Sequence, residues 1–195
     1  MNKTSFSARR RSFLFASAAA PCLLVPAISN ANQQKYGILG LKAPELKVSK
    51  WIDANGKPTT FKLSEQKGKF IFMEFWQAWC PGCHSHGFPS LKKITDALSD
   101  NAKFTSIAIQ TTFEGFSVNT AGQLRVMQQR YDLPIIMGHD EGTEGVHPYT
   151  MQSYRSGGTP WSVLISPEGE VIFNDFSINT DNAITFLKDA IEEIS

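Results

Sequence analysis

Phe70-Ile71-Phe72-Met73-Glu74-Phe75-Trp76-Gln77-Ala78-Trp79-Cys80-Pro81-Gly82-Cys83 is the stretch from which the rest of the 195-residue chain can be placed. An apolar run drives straight into two cysteines separated by Pro-Gly, and an amphipathic pattern begins at the second of them. That order reads as strand, tight turn, helix. Proline is accepted at a first helical position because its missing N–H would be unpaired there anyway, so Pro81 puts Cys80 at or near a helix N-terminus. Unpaired amides and the positive end of the helix dipole then face the Cys80 sulfur. They favour the thiolate, the species that attacks disulfides. The two-residue spacing lets Cys83 swing back within one turn. The expected chemistry is reversible disulfide formation, with Cys80 attacking a partner's disulfide and Cys83 resolving the mixed intermediate. The rival reading is an inert staple, but a bridge closing so short a loop removes little entropy from the unfolded chain.

Within the strand, alternation puts Phe72, Glu74 and Trp76 on one face and Ile71, Met73 and Phe75 on the other. Both faces are apolar, as in a central strand covered on two sides. Glu74 is the one charged residue from Phe70 to Trp76. A carboxylate buried there without a partner costs on the order of several kcal/mol in its charged form, which drives its pKa up. Such a group suits proton transfer. A strand-end Glu reaching solvent is the alternative.

The run from Phe70 to Cys83 resembles the active-site strand and turn of the thioredoxin superfamily. The fuller pattern adds a polar hairpin, Gly68-Lys69 before the strand, and Thr159-Pro160 before a later one. It is similar to TlpA-like exported thiol-disulfide oxidoreductases and the related redoxins. The resemblance implies an α/β thioredoxin fold, a mixed central sheet flanked by helices, with an N-terminal β-hairpin extension. It implies that Glu74, six residues before Cys80, is the buried acid that exchanges a proton with Cys83 through water. It also implies that Thr159-Pro160 is a cis-proline segment facing the cysteine pair. Trp79, Pro81, Thr159 and Pro160 would then shape a groove in which an extended substrate pairs with backbone groups. The partners implied are cysteine-containing exported proteins and a membrane redox partner that donates or accepts electrons. No tightly bound cofactor and no metal are expected.

Toward the N-terminus, Arg9-Arg10-Arg11 precedes Ser12-Phe13-Leu14 and a charge-free apolar run through Ile28. This is the layout of a secretory signal peptide, and Arg10 to Leu14 resembles the twin-arginine export motif. Ser29-Asn30-Ala31 offers small residues for cleavage, so residues 1–31 are expected to be removed, together with Cys22. An uncleaved anchor is the alternative, although Pro21 and Pro26 interrupt a run already short for a bilayer. Residues 32–42 read as a polar linker and 43–195 as the thioredoxin-like domain, long enough for one core. The net charge of +1 points to no nucleic-acid partner. Leu46, Val48 and Trp51, then Asn55-Gly56, then Thr60 to Leu63 read as a hairpin with an Asn-Gly turn.

Toward the C-terminus, Leu91, Ile94 and Leu98 mark one buried helical face, with Pro89 expected to kink the helix. Pro89 lies one position later than the comparable proline of the resembled family, which points to a one-residue insertion. Phe104 to Gln110 reads as a strand parallel to the first after a right-handed crossover. Phe113 and Phe116 in the loop after it either line the groove or pack. A helix is expected over 121–131 and a short strand over 133–137. A turn then follows over 138–142, where Asp140 and Glu141, with Glu144 beyond, form a solvated acidic surface. Tyr149 to Tyr154 reads as a helical turn, and 166–170 as a hairpin turn between two edge strands. Thr180-Asp181 is expected to cap a final helix that buries Ala183, Ile184, Leu187, Ile191 and Ile194.

Three rival chemistries remain. Cys80 to His84 formally matches C-x-x-C-H, the haem c attachment pattern, but that motif usually lies in a loop and not directly after an apolar strand. His84 and His86, with His139 or His147, could hold copper or zinc beside the thiols, as in metal carriers of the same fold. A thiol peroxidase needs P-x-x-x-[ST]-x-x-C, and the residues before Cys80 lack it.

Overall fold

The computed structural model describes residues 36–194. The expected signal peptide, Cys22 and the start of the linker lie outside them. The strands are β1 (Lys50–Ile52), β2 (Pro58–Thr59), β3 (Phe70–Trp76), β4 (Phe104–Thr112), β5 (Ile136–Glu141), β6 (Trp161–Ile165) and β7 (Val171–Asp175). The helices are α1 (Phe88–Leu98), α2 (Gln123–Arg130), α3 (Tyr149–Ser153) and α4 (Thr180–Glu193). Among the described residues the strands form one sheet in the order β2-β1-β5-β4-β3-β6-β7. The β3, β4 and β5 strands run parallel, and the two hairpins at the edges are antiparallel. The fold is thioredoxin-like, with the β1–β2 hairpin added beside β5.

Successive crossovers from β3 to β4 to β5 step in one direction across the sheet. Because such crossovers are right-handed, α1 and α2 fall on the same face, and α4 joins them there. Phe72 and Trp76 meet Phe88, Leu91, Ile94, Leu124 and Leu187 on that side. The other face, with Ile71, Met73 and Phe75, is covered by Ile38, Leu46, Trp51, Phe61 and Tyr154. Every residue of β3 is buried, as its two apolar faces require.

Several expectations need correction. The linker is not free to its end: Ile38 is buried. Gly37 N–H donates to the Arg155 carbonyl, Gly40 N–H to that of Val171, and Val171 N–H to that of Leu41. Residues 37–42 therefore belong to the folded unit, because β7 would otherwise leave edge groups unpaired. The expected turn at 138–142 is instead the body of β5, which lies between β4 and β1. Gly138 is required there, since a Cβ would sit 2.7 Å from the Trp51 ring. Asp140 is accordingly buried and accepts from Thr150 N–H at 2.7 Å and from the Thr150 hydroxyl. It is not part of a solvated acidic surface. Asn179, the stronger cap, caps α4 by accepting from Asn182 N–H at 3.0 Å. Ile194 is exposed.

Pro89 follows directly on a π turn and does not interrupt a regular α-helix. Helical backbone starts at Pro81, Cys83–Gly87 form a π turn, and α1 begins at Phe88 with Pro89 in its first turn. Phe88 N–H reaches back to the Cys83 carbonyl, so the extra residue is absorbed as a wider turn. The wider turn directly before Pro89 is where the helix accommodates a residue that cannot donate.

Candidate active site

The strand β3 delivers the chain to Gln77-Ala78-Trp79, and Cys80 follows immediately before the helical backbone. Cys80 is 4% exposed and Cys83 fully buried, and a disulfide joins them with their Cα atoms 5.3 Å apart. The Cys83 amide lies 3.1 Å from Cys80 Sγ. This is the first-turn donor that stabilises a thiolate once the bridge opens. The Thr159–Pro160 peptide is cis, and the Thr159 carbonyl oxygen lies 3.5 Å from Cys80 Sγ. The Pro160 ring rests against the cysteine turn: a Cβ on Gly82 would meet its Cδ at 3.0 Å. The sulfur pair and the proline segment therefore face one another.

Glu74 is wholly buried. Antiparallel register sets Ser162 of β6 directly across from it, and the Ser162 hydroxyl donates to Oε2 at 2.7 Å. The other oxygen, Oε1, has no hydrogen-bond partner among the described residues. It faces the π turn, where a Cβ on Gly87 would come within 2.7 Å of it and 3.0 Å of Pro160 Cβ. Desolvation pushes the Glu74 carboxyl up to about 8, against the pull of the Ser162 hydrogen bond. Of the expected site residues, Cys80, Cys83, Trp79, Pro81, Thr159 and Pro160 lie at one end of the sheet, and Glu74 lies beneath them in the core.

Trp79 is 47% exposed, and its indole N–H donates to Gln77 Oε1 at 3.1 Å. Gly115, at φ +59°, lies against it, and a Cβ there would come within 3.3 Å of the indole ring. The loop after β4 thus touches Trp79 through backbone, while Phe113 packs edge-on against His147 at 5.7 Å.

The histidines are dispersed. His84 bonds the Tyr131 hydroxyl at 2.6 Å and the Ala78 carbonyl at 2.7 Å, so both its ring nitrogens are engaged. His86 pairs with Ser85 at the surface. His139 lies in β5, its Nδ1 donating to Gln110 Oε1 at 2.8 Å. Among the described residues no group of three or more His, Cys, Asp or Glu is placed to hold a metal ion.

Sequence reasoning missed four participants: Ser162, Gly87, Tyr131 and Asn119. Asn119, fully buried in the loop after β4, accepts from Ala78 N–H at 2.7 Å and donates to Gln77 Oε1 at 2.8 Å. An Asn in a loop at the carboxyl end of a parallel strand was the only signal available.

A disulfide-joined cysteine pair at a helix start, facing Pro160 on this sheet, is the arrangement of a thiol-disulfide oxidoreductase of the thioredoxin superfamily. Residues 39–174 match the AhpC/TSA family, and the chain belongs to that family. It is similar to the thiol-disulfide oxidoreductase ResA of Bacillus cereus, 28% identical over 149 residues, which cover 73% of this chain and 71% of the relative. Among solved structures it is similar to a thiol-disulfide isomerase from Corynebacterium glutamicum. That match has a TM-score of 0.64 and 28% identity, covering 76% of this chain and 96% of that one. A thioredoxin-like superfamily protein aligns with a TM-score of 0.69 and 28% identity, covering 77% and 96%.

Proposed function

We propose that this chain is exported and exchanges disulfides with cysteine-containing protein clients, its electrons passing to or from a membrane redox partner. The observation that carries the reading is the Cys83 amide aimed at Cys80 Sγ beneath Pro160. In the reducing direction the Cys80 thiolate attacks one sulfur of a client disulfide, and the client's other sulfur leaves as a thiolate. Cys83 then loses its proton and attacks Cys80 Sγ. The client departs with both sulfurs reduced, and the Cys80–Cys83 bridge is left behind. Run backwards, the same steps oxidise a dithiol client.

Glu74 is the proposed base for Cys83. A carboxyl titrating at about 8 is matched to an ordinary thiol, so a proton passes between them at little cost. Trp79, Pro81, Thr159 and Pro160 border the client groove, with backbone groups of the proline segment pairing an extended strand. Export rests on the arginines and apolar run of residues 1–31. Among the described residues no helix is long and apolar enough to cross a membrane.

The test is the Cys83→Ala variant expressed in its native compartment. Client proteins should accumulate as mixed disulfides on Cys80, released by reductant and absent from the Cys80→Ala, Cys83→Ala double variant. A Cys80 that captures no protein would overturn the proposal. Peroxide consumption surviving in Cys83→Ala would point to a peroxidase, a reading disfavoured by Met73 and Gln77 standing where that motif has Pro and Ser or Thr.

A further inference from the structure

We infer that Asn119 and His84 are positioning residues that clamp the backbone of Ala78 at its N–H and at its carbonyl, fixing the peptide units on either side of that residue, and so hold Trp79 and Cys80 in the geometry exchange requires. The inference rests on Cys80 being the attacking sulfur. The turn from Gln77 to Trp79 has left the sheet and has not entered the helix, so neither ladder fixes it. One backbone bond, from Cys80 N–H to the Gln77 carbonyl at 3.2 Å, closes it, and both polar groups of Ala78 are met by side chains: its N–H donates to Asn119 Oδ1 at 2.7 Å, and His84 Nε2 donates to its carbonyl at 2.7 Å.

The orientation of each group follows from donors and acceptors that have no choice. A backbone N–H only donates, so the Asn119 atom beside Ala78 is oxygen, and Nδ2 turns to Gln77 Oε1 at 2.8 Å and the Glu114 carbonyl at 2.9 Å. An indole N–H only donates, so the Gln77 atom beside Trp79 is likewise oxygen. A carbonyl only accepts, so His84 carries a hydrogen on Nε2, and its Nδ1 is hydrogen-bonded with the Tyr131 hydroxyl at 2.6 Å.

Asn119 is thereby committed at both ends of its amide while fully buried. In the same network the buried Gln77 Nε2 has no hydrogen-bond partner among the described residues. Gly115 closes the arrangement: a Cβ on it would lie 3.2 Å from Asn119 Nδ2 and 3.3 Å from the Trp79 ring. Asn119 comes from the loop between β4 and α2, and Tyr131, which orients His84, follows the end of α2. One crossover thus grips the exchange turn twice. The consequence is chemical, because Cys80 begins two residues after Ala78. Any swing of that peptide moves its sulfur relative to the Cys83 amide at 3.1 Å and the Thr159 carbonyl at 3.5 Å.

Asn119→Leu keeps the side-chain shape without charge or hydrogen bonds, and His84→Phe keeps the ring stack on Phe88 and Tyr131 while deleting both polar contacts. Three quantities are measured on the reduced protein and compared with wild type: ultraviolet thiolate absorbance against pH, the rate of insulin disulfide reduction, and the thermal midpoint. Each variant should ionise Cys80 at higher pH and reduce insulin about five- to tenfold more slowly, the worth of one net hydrogen bond. The double variant should lose less than the product of the two, since both act on the backbone of one residue. Should Asn119→Leu not fold, Gln77→Met removes the acceptor shared by Trp79 and Asn119 and is expected to show the same changes. Variants with a wild-type thiolate titration and insulin rate, or with only a lowered thermal midpoint, would overturn the inference. A wild-type chain that leaves insulin intact would count against the proposed function, while the thiolate titration would still decide the positioning.

Discussion

Glu74 is a carboxylic acid held where water does not reach, and burial alone makes it a pH sensor of the fold. Its ordinary value is 4.5, and in the folded chain it titrates at about 8. Between those values the folded state holds a proton that the unfolded state has released. Stability contributed by the neutral acid is therefore complete below 4.5, falls as pH rises, and is lost above about 8. The slope for one proton is at most about 1.4 kcal/mol per pH unit. Glu74→Gln should remove it, so that urea midpoints of wild type and variant diverge between about pH 5 and pH 8, with wild type falling relative to the variant. Parallel curves would show that the carboxyl is already ionised in the folded chain. The same substitution should flatten the pH dependence of mixed-disulfide resolution, followed by rapid-quench sampling of the Cys80 adduct. An unchanged pH dependence would remove Glu74 from the proton step.

At the scale of elements, the π turn from Cys83 to Gly87 decides what can stand beside that acid. The wider turn takes up one residue between the cysteine pair and Pro89, and it brings Gly87 against Glu74 Oε1 and Pro160. Gly87 is needed for its lack of bulk; no left-handed backbone is involved. Gly87→Ala would press a methyl group on the carboxyl at 2.7 Å and on the proline at 3.0 Å. The expected loss is about 1–3 kcal/mol of stability, the usual cost of overpacking, together with a displaced Glu74 titration. Equilibrium unfolding of Gly87→Ala, made once in the wild-type chain and once together with Glu74→Gln, separates the two effects. A loss of equal size in both would mean that the methyl group acts by crowding alone and not through the carboxyl's titration. Gly82 meets Pro160 in the same manner, so two glycines of this segment serve the closeness of the proline strand to the cysteine turn.

Among the described residues the sheet is covered unequally: α1, α2 and α4 take one face, and Ile38, Leu46, Phe61 and Tyr154 from connecting segments take much of the other. Residues 37–42 are thus part of the core's closure. A chain beginning at Ala43 should unfold at a lower temperature than one beginning at Gln34, with a deficit of about 2–4 kcal/mol from exposing Ile38 and freeing the backbone of β7. Equal thermal midpoints would show that the segment only lies on the surface. What the sequence by itself determined was everything local or strongly patterned. The apolar run of β3, the cysteine turn opened by Pro81, the Asn-Gly hairpin and the Thr159-Pro160 segment are read from neighbours along the chain, where period and backbone restriction act. Apart from Glu74 in β3, the tertiary structure alone decided which polar residues are inside. His139 and Asp140 look like a solvated turn because their partners, Gln110 and Thr150, lie 29 and 10 residues away. Asn119 reaches Ala78 across 41 residues. A polar side chain carries no periodic signature of burial. Whether it faces water or a matched donor depends on which strands and loops the crossovers bring together, and that choice is made only when the sheet is assembled.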